Sequence, residues 1–397
     1  MKLFKKLLKV IAVLLLLIIV GILIFSIMNW TLVTTMARMS NIENIRTDNV
    51  REWEKTVTPV AGRRDDALLI TADPSELNEA TINSLIDYHQ QEKGLSLLVW
   101  QNGKIQLEHY ADGMSRSAVT ASYSMNKSVT GLMAAILYAE GILSLDAPVS
   151  EVLADWKDDS RGEITLRELL QHTTPLKVVS MRNPDFRTME ILAGDDIEKA
   201  ALSNPVDDLG LGFEYATINY QVAGAVIRRY VNNAFGKTYT EYLSEKIWQP
   251  IGAGDAWISS GKDNGIPRFY AGMQASAADW LKLGLLIKDN GKVNGKQIIP
   301  AEAIKVLTTP STTNALYGLG VWLDAPDDGS REYGPNTPVQ VKHSEPYLAS
   351  DVVFFDGFGG QRVYIVASED LVIVRTGQVS FSFDDSILVN LVLKNAQ

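Results

Sequence analysis

From Val10 to Met28 the chain runs through 19 residues whose apolar character is broken only at Gly21 and Ser26. At about 1.5 Å of rise per residue, a helix of that length comes close to the ~30 Å hydrocarbon core of a bilayer. Such a run splits the chain into two parts that face different surroundings. Lys2, Lys5, Lys6 and Lys9 are the only charges in the first 30 residues. Without them the remainder carries 33 basic against 47 acidic residues, a formal charge of −14. A cleaved signal peptide would end its shorter apolar stretch in small residues, and Phe25-Ser26-Ile27-Met28-Asn29-Trp30 offers no such pair. Trp30 suits the aromatic belt at a membrane surface. The expectation is an uncleaved signal anchor over residues 1–30, with residues 10–28 in the lipid bilayer. The flanking lysines stay inside, so everything after residue 30 faces the periplasm or cell exterior and the protein is a single-pass protein of the cytoplasmic membrane.

Composition narrows the chemistry of the rest. With 46% apolar and 21% charged residues, the 397-residue chain can bury a large core. It has no cysteine, which excludes disulfides, thiolate metal sites and thiol nucleophiles. His89, His109, His172 and His343 are scattered without metal-ligand spacing, so neither metal nor cofactor is expected. The net charge of −10 argues against a nucleic-acid partner.

Residues 31–75 show little periodicity apart from the cluster Arg63-Arg64-Asp65-Asp66, and read as a connecting segment. Residues 76–92 read as a helix. Leu97–Trp100 and Ile105–His109 flank Asn102-Gly103, a hairpin signal. From Ser124 the pattern turns helical, with Val129, Leu132, Met133, Ile136 and Leu137 on one face until Gly141. Helical signals dominate from about 150 to 310, over Leu166–Gln171, Gln221–Tyr230, Tyr239–Trp248 and Ala277–Lys288. Strand signals return at Gly318–Leu323, Val352–Phe355, Arg362–Ala367 and Leu371–Arg375, before a closing helix near 384–395. Strands at both ends around a helical middle predict an α+β or α/β fold. Its antiparallel sheet, flanked by helices, would be built from the two chain ends. The domain would cover residues 76–397, with an inserted helical lobe at about 150–310.

Ser124-Met125-Asn126-Lys127 opens the first of these apolar helices. Positions i and i+3 share a helix face, so the amine can lie beside the hydroxyl. Serine needs such a base to act as a nucleophile. A lysine dried out in a cleft can have its pKa lowered enough to serve. Alone, Ser-x-x-Lys equally fits a helix start with a solvated lysine.

Further segments reinforce it. Around this motif the chain resembles the serine β-lactamase and penicillin-recognising superfamily, nearest its class-C-like branch of esterases and 6-aminohexanoate-dimer hydrolases. The resemblance rests on Ser122–Val149, with its Gly141–Val149 ending, and on Ile164–Leu176 (Ile-Thr-Leu-Arg-Glu-Leu-Leu-Gln-His-Thr-Thr-Pro-Leu). It rests also on Phe213-Glu214-Tyr215-Ala216-Thr217 and on Gly357-Phe358-Gly359-Gly360-Gln361. It spans roughly residues 80–380 and implies a β-lactamase/transpeptidase-like fold. It further implies a hydrolase that forms an acyl-enzyme on Ser124, with Lys127 easing deprotonation and Tyr215 as acid/base. The backbone N–H groups of Ser124 and Phe358 would form the oxyanion hole, and Asp356, Gly357 and Gly359 would line the substrate. The substrate class is a small-molecule amide or ester.

The chain departs from the family pattern at three places. Thr217 stands at the asparagine of the Tyr-x-Asn element. Pro175 replaces a glycine. Phe355-Asp356 stands where the third motif normally opens with Lys or His, and an acid there would repel a penicillin carboxylate. Two other readings remain open at this stage: a penicillin-binding, peptidoglycan-directed protein, and a non-catalytic binding protein that keeps the fold. Tyr215 could be a core tyrosine, beside Tyr220 and Tyr230. His172 reads as a helix-end or buried structural histidine, His343 as a loop residue, and the pairs Asp158-Asp159, Asp207-Asp208 and Asp327-Asp328 as solvated loops. No Gly-x-Ser-x-Gly elbow supports a Ser-His-Asp triad. Specificity is expected in the loops around 178–212 and 255–272.

Overall fold

The computed structural model describes residues 2–28, 30, 33, 46–54, 56–178, 186–194, 196–207, 212–262, 265–324, 329–337 and 339–395. Asp208, Asp327-Asp328 and parts of the 31–75 and 178–212 segments lie outside the described residues. The first helix, Lys2–Met28, contains the stretch Phe4–Ile27 with mean hydropathy 3.4 and no burial against the rest of the chain. By length and composition it can cross a membrane.

The strands in chain order are β1 (Val57–Val60), β2 (Gly94–Gln101), β3 (Lys104–Tyr110), β4 (Val119–Ala121), β5 (Ala256–Ser259), β6 (Met273–Ser276), β7 (Lys292–Val293), β8 (Lys296–Gln297), β9 (Trp322–Leu323), β10 (Gly329–Glu332), β11 (Gln340–His343), β12 (Val352–Gly357), β13 (Gln361–Val366) and β14 (Leu371–Gly377). The main sheet has the order β3-β2-β14-β13-β12-β9, antiparallel throughout. Its two chain-end halves meet where β2 pairs with β14, Ile373 opposite Val99. The Asn102-Gly103 turn joins β2 to β3 with φ of 52° and 83°. That left-handed pair suits the twist of a two-residue hairpin.

Alternation decides what covers each face. Leu97, Val99, Tyr364, Val366, Leu371 and Ile373 point into one cluster, with Leu85, Leu388 and Val389 from the helices Glu79–Gln91 and Asp385–Lys394. Leu98, Trp100, Val363, Ile365, Val372 and Val374 point into the other, with Leu281 and Leu285 of the helix Ala277–Lys288. Burial on both faces turns β14 into a continuous apolar run instead of an alternating one.

Several elements differ from the sequence reading. The 31–75 connector belongs to the domain from Arg46 on. Thr47 donates through Oγ1 to the carbonyl of Gly377 at 2.8 Å, and β1 pairs with β5. The cluster Arg63-Arg64-Asp65-Asp66 clasps the helix Ala277–Lys288: Arg64 lies 3.2 Å from Asp279, and Lys282 lies 2.6 Å from Asp66. A four-residue strand whose partner is some 200 positions away leaves no local signal. The helical lobe likewise contains β5 and β6, which join a second sheet of order β1-β5-β6-β4. The hairpin β10–β11 also went unread, since Gly329–Glu332 and Gln340–His343 carry little strand pattern. His343, read as a loop residue, ends β11 instead and is 1% exposed.

Candidate active site

The nucleophile candidate sits on a strained turn. Tyr123–Met125 forms one 3₁₀ turn before the helix Asn126–Ala139, so Ser124 precedes the α-helix proper. Tyr123 takes φ +48°, a left-handed conformation that a non-glycine residue adopts only where its surroundings hold it. Here Ser122 supplies the hold: its backbone N–H and its Oγ both donate to the carbonyl of Met273 in β6, at 3.0 and 2.5 Å. The strap ahead of β6 secures the next turn. Asn126 donates through Nδ2 to the carbonyls of Arg268 (2.9 Å) and Ala271 (3.1 Å), and Thr130 through Oγ1 to that of Phe269 (2.8 Å).

Lys127 points inward from the helix and is 2% exposed. Its Nζ lies 3.1 Å from Oγ of Ser124 and donates to the carbonyl of Tyr270 at 3.0 Å. It also lies 4.6 Å from the centroid of the Tyr215 ring. Burial pulls the amine from its ordinary 10.5 down to about 7, against the opposing attraction of Asp356. The Tyr215 phenol moves the other way. Burial first, then the charges of Tyr317, Asp356 and Tyr333, push it well above its ordinary value, while a hydrogen bond with Ser124 pulls weakly down. Two titratable groups driven apart around one hydroxyl are the arrangement that divides base from acid.

Tyr215 is held from three sides. Its backbone N–H donates to the carbonyl of Tyr333 at 2.8 Å, and the Tyr333 ring packs edge-on with centroids 5.0 Å apart. The Trp322 ring stacks at 6.2 Å. His172 lies 4.5 Å from it, ring to ring, and accepts through Nδ1 from the N–H of Ala216 at 3.1 Å. Burial, with Lys127 nearby, keeps the imidazole neutral by lowering its pKa well below its ordinary value. The buried structural role read for His172 therefore includes fixing the tyrosine segment. Glu214 ties the same segment to the hairpin loop, accepting from Thr337 Oγ1 at 2.8 Å.

The glycine-rich end of β12 closes the opposite side. A Cβ on Gly357 would lie 2.4 Å from the carbonyl oxygen of Ser122 and 3.1 Å from Cγ of Met125, so only glycine lets the strand end meet the nucleophile turn. Phe358 follows, its ring edge-on to Tyr123 at 5.8 Å. Gly359 turns the chain into β13 with φ +72°.

Asp356, read from the sequence as a substrate-binding candidate, faces away from the cleft. Alternation along β12 turns it into a buried ion cluster: 2.6 Å from Arg362, 3.4 Å from Arg331, and accepting from the Tyr333 hydroxyl at 2.5 Å. Asp385 completes the cluster, 2.8 Å from Arg331 and 2.7 Å from Arg362. A carboxylate matched by two guanidinium groups does not present its charge to substrate. Phe355, where the family carries a cation, is fully buried against Trp280 at 6.3 Å. Sequence reasoning missed Tyr333, Arg331 and the Tyr270 carbonyl: the first two come from the β10 strand and its end, the third from the strap before β6, and neither segment carries a motif. Among the described residues no group of three or more His, Asp or Glu side chains could hold a metal ion.

The chain has similar proteins of known sequence and structure. The chain is 26% identical to an uncharacterised protein of Alkalihalophilus pseudofirmus over 317 residues, 76% of this chain and 88% of that protein. It is 26% identical to protein flp of Staphylococcus aureus over 189 residues, 44% of this chain and 37% of that longer relative. A candidate 6-aminohexanoate-dimer hydrolase from Bacillus anthracis shares the fold, with a TM-score of 0.68 at 18% identity over 88% of this chain and 91% of that one. The sequence profile of the beta-lactamase family matches residues 78–386, which take in the nucleophile turn, the tyrosine segment and the glycine-rich strand end. On that match, the chain belongs to the beta-lactamase family.

Proposed function

We propose that the protein is a serine hydrolase that cleaves an amide or ester through an acyl intermediate on Ser124. One observation carries the proposal: a buried amine, brought to about 7, stands 3.1 Å from the Ser124 hydroxyl. Near neutral pH a large share of Lys127 is then uncharged and can accept the hydroxyl proton. As Oγ bonds to the substrate carbonyl carbon, the carbonyl electron pair moves onto oxygen. Backbone N–H groups of Ser124 and Phe358 would stabilise that oxyanion, each worth about 2.7–4 kcal/mol. Tyr215 stays a phenol at working pH. It can therefore hand its proton to the leaving oxygen or nitrogen and be resupplied from Lys127. Water then attacks the acyl carbon, gives up a proton to the same pair, and Ser124 leaves with its hydroxyl restored. No cofactor or metal enters this scheme.

The lysine-flanked apolar helix supports anchorage in the cytoplasmic membrane with the domain on its outer side. A fluorophosphonate probe applied to the full chain in detergent tests the chemistry. Wild type should be labelled and Ser124→Ala should not; equal labelling of both would refute the assignment. Phe355, in place of the family's cation, favours a second reading, binding without turnover. It is separated by p-nitrophenol release from p-nitrophenyl butanoate: a hydrolase releases many equivalents per protein, a non-catalytic protein none above the Ser124→Ala background.

A further inference from the structure

We propose that Arg362 is a positioning residue for the oxyanion hole: from the face turned away from the cleft, it holds and polarises the peptide unit that carries the Phe358 N–H. This rests on the acyl-Ser124 reading and deepens it. Nη1 of Arg362 donates to the carbonyl of Gly357 at 2.8 Å. That carbonyl and the Phe358 N–H are the two ends of one peptide unit. In a planar trans unit they point in opposite directions, so the contact that fixes one aims the other. Among the described residues the Phe358 N–H meets no acceptor, which leaves it to a substrate oxygen.

The guanidinium is itself held. Arg362 is 1% exposed. Its Nε donates to Asp385 at 2.7 Å, and Nη1 lies 2.6 Å from Asp356 and donates also to the Gln361 carbonyl at 2.8 Å. The next two carbonyls of the turn are tied as well. That of Phe358 accepts from Gln361 Nε2 at 3.4 Å, and that of Gly359 from Arg375 Nη1 at 3.2 Å. A lysine ammonium could not serve Asp385 and Gly357 at once, as the planar fork does.

Charge explains what the contact adds. Arg331 and Arg362 balance Asp356 and Asp385, so the cluster brings no net charge to the hole and Arg362 acts through the peptide. A charged donor on the carbonyl draws electrons toward its oxygen and makes the N–H at the other end a stronger donor. A donor aimed before substrate arrives needs no reorganisation as the oxyanion forms.

The test compares kcat/KM of the full chain in detergent for p-nitrophenyl butanoate and for its thionoester, in which sulfur replaces the carbonyl oxygen. Sulfur is a weak acceptor, so the preference for oxygen reads the hole, and the amount of folded protein cancels from the ratio. Two double variants each remove one guanidinium and one carboxylate: Arg362→Met with Asp385→Asn, and Arg331→Met with Asp385→Asn. The first should lower kcat for the oxygen ester by about 10²-fold and the preference by at least about tenfold, with KM within about twofold of wild type. The second should keep the wild-type preference. An unchanged preference in the first, or an equal fall in both, would overturn the inference and leave the serine mechanism standing. Whatever the variants' stability, a crystal structure of the wild-type phenylboronic acid adduct gives a second reading. A boronate oxygen within about 3.1 Å of the Phe358 nitrogen, with the Gly357 carbonyl still on Arg362, supports the inference; a carbonyl turned away from Arg362 overturns it. Wild-type turnover no higher than that of Ser124→Ala would remove both readings.

Discussion

Replacing Lys127 by methionine should abolish turnover and, at the same time, make the protein more stable. The native state keeps this amine 2% exposed and lowers its proton affinity from 10.5 to about 7. At about 1.4 kcal/mol per tenfold, that displacement corresponds to about 5 kcal/mol. Between pH 7 and 10.5 the unfolded chain holds a proton that the native state has released. The free energy of unfolding therefore rises with pH across this window, by at most about 1.4 kcal/mol per pH unit. Below 7 both states are protonated and the penalty is complete. Methionine has similar length and no charge to desolvate, but it leaves the Tyr270 carbonyl without its donor, a loss of about 1–3 kcal/mol. The expected net gain at pH 7 is about 2–3 kcal/mol. Urea unfolding of both proteins at pH 7 and pH 10 measures it. The difference between them isolates Lys127 from other titrations and should shrink by about 3 kcal/mol at the higher pH. A variant no more stable than wild type at pH 7, or a gap constant with pH, would refute the claim that burial tunes this amine.

Other outcomes follow from the same geometry. Acylation should increase with pH through about 7 as Lys127 loses its proton, read from the rate of p-nitrophenol release. Tyr215→Phe should lower turnover by about 10²-fold or more with little change in fold, checked by kcat and circular dichroism. Asp356→Asn should destabilise by about 3–5 kcal/mol, because Arg331 and Arg362 lose a buried partner. In the same variant the acid limb of the activity profile should move to lower pH, since the Asp356 charge raises the proton affinity of Lys127. An unmoved limb in a folded variant would confine Asp356 to structure.

Much of the fold was legible along the chain. The hairpin around Asn102-Gly103, the helix Ala277–Lys288 and the pairing of the two chain ends all follow from local periodicity and turn chemistry. Ser-x-x-Lys predicted that Lys127 lies one helical turn from Ser124, and the structure sets Lys127 and Tyr215 beside the Ser124 hydroxyl and packs Gly357 of β12 against the turn that carries it. The segment around β1, the strands β5 and β6 and the hairpin β10–β11 were not legible. Each is short, and each is a strand only because a distant partner supplies its hydrogen bonds.

Asp356 marks the boundary between the two kinds of information. Sequence fixes that an acid stands beside Gly357, and it fixes the alternation that sends neighbouring side chains to opposite faces of β12. It does not say which face meets the cleft, or that Arg331 and Arg362 wait on the other. The same holds for Lys127. Its identity and spacing are written in four consecutive residues, but its proton affinity is set by the burial that dries it, against the opposing charge of Asp356. Local residue order sets periodicity, turns and charge. Solvent exclusion depends on everything folded around a point, so the tuning of the site was decided only by tertiary packing.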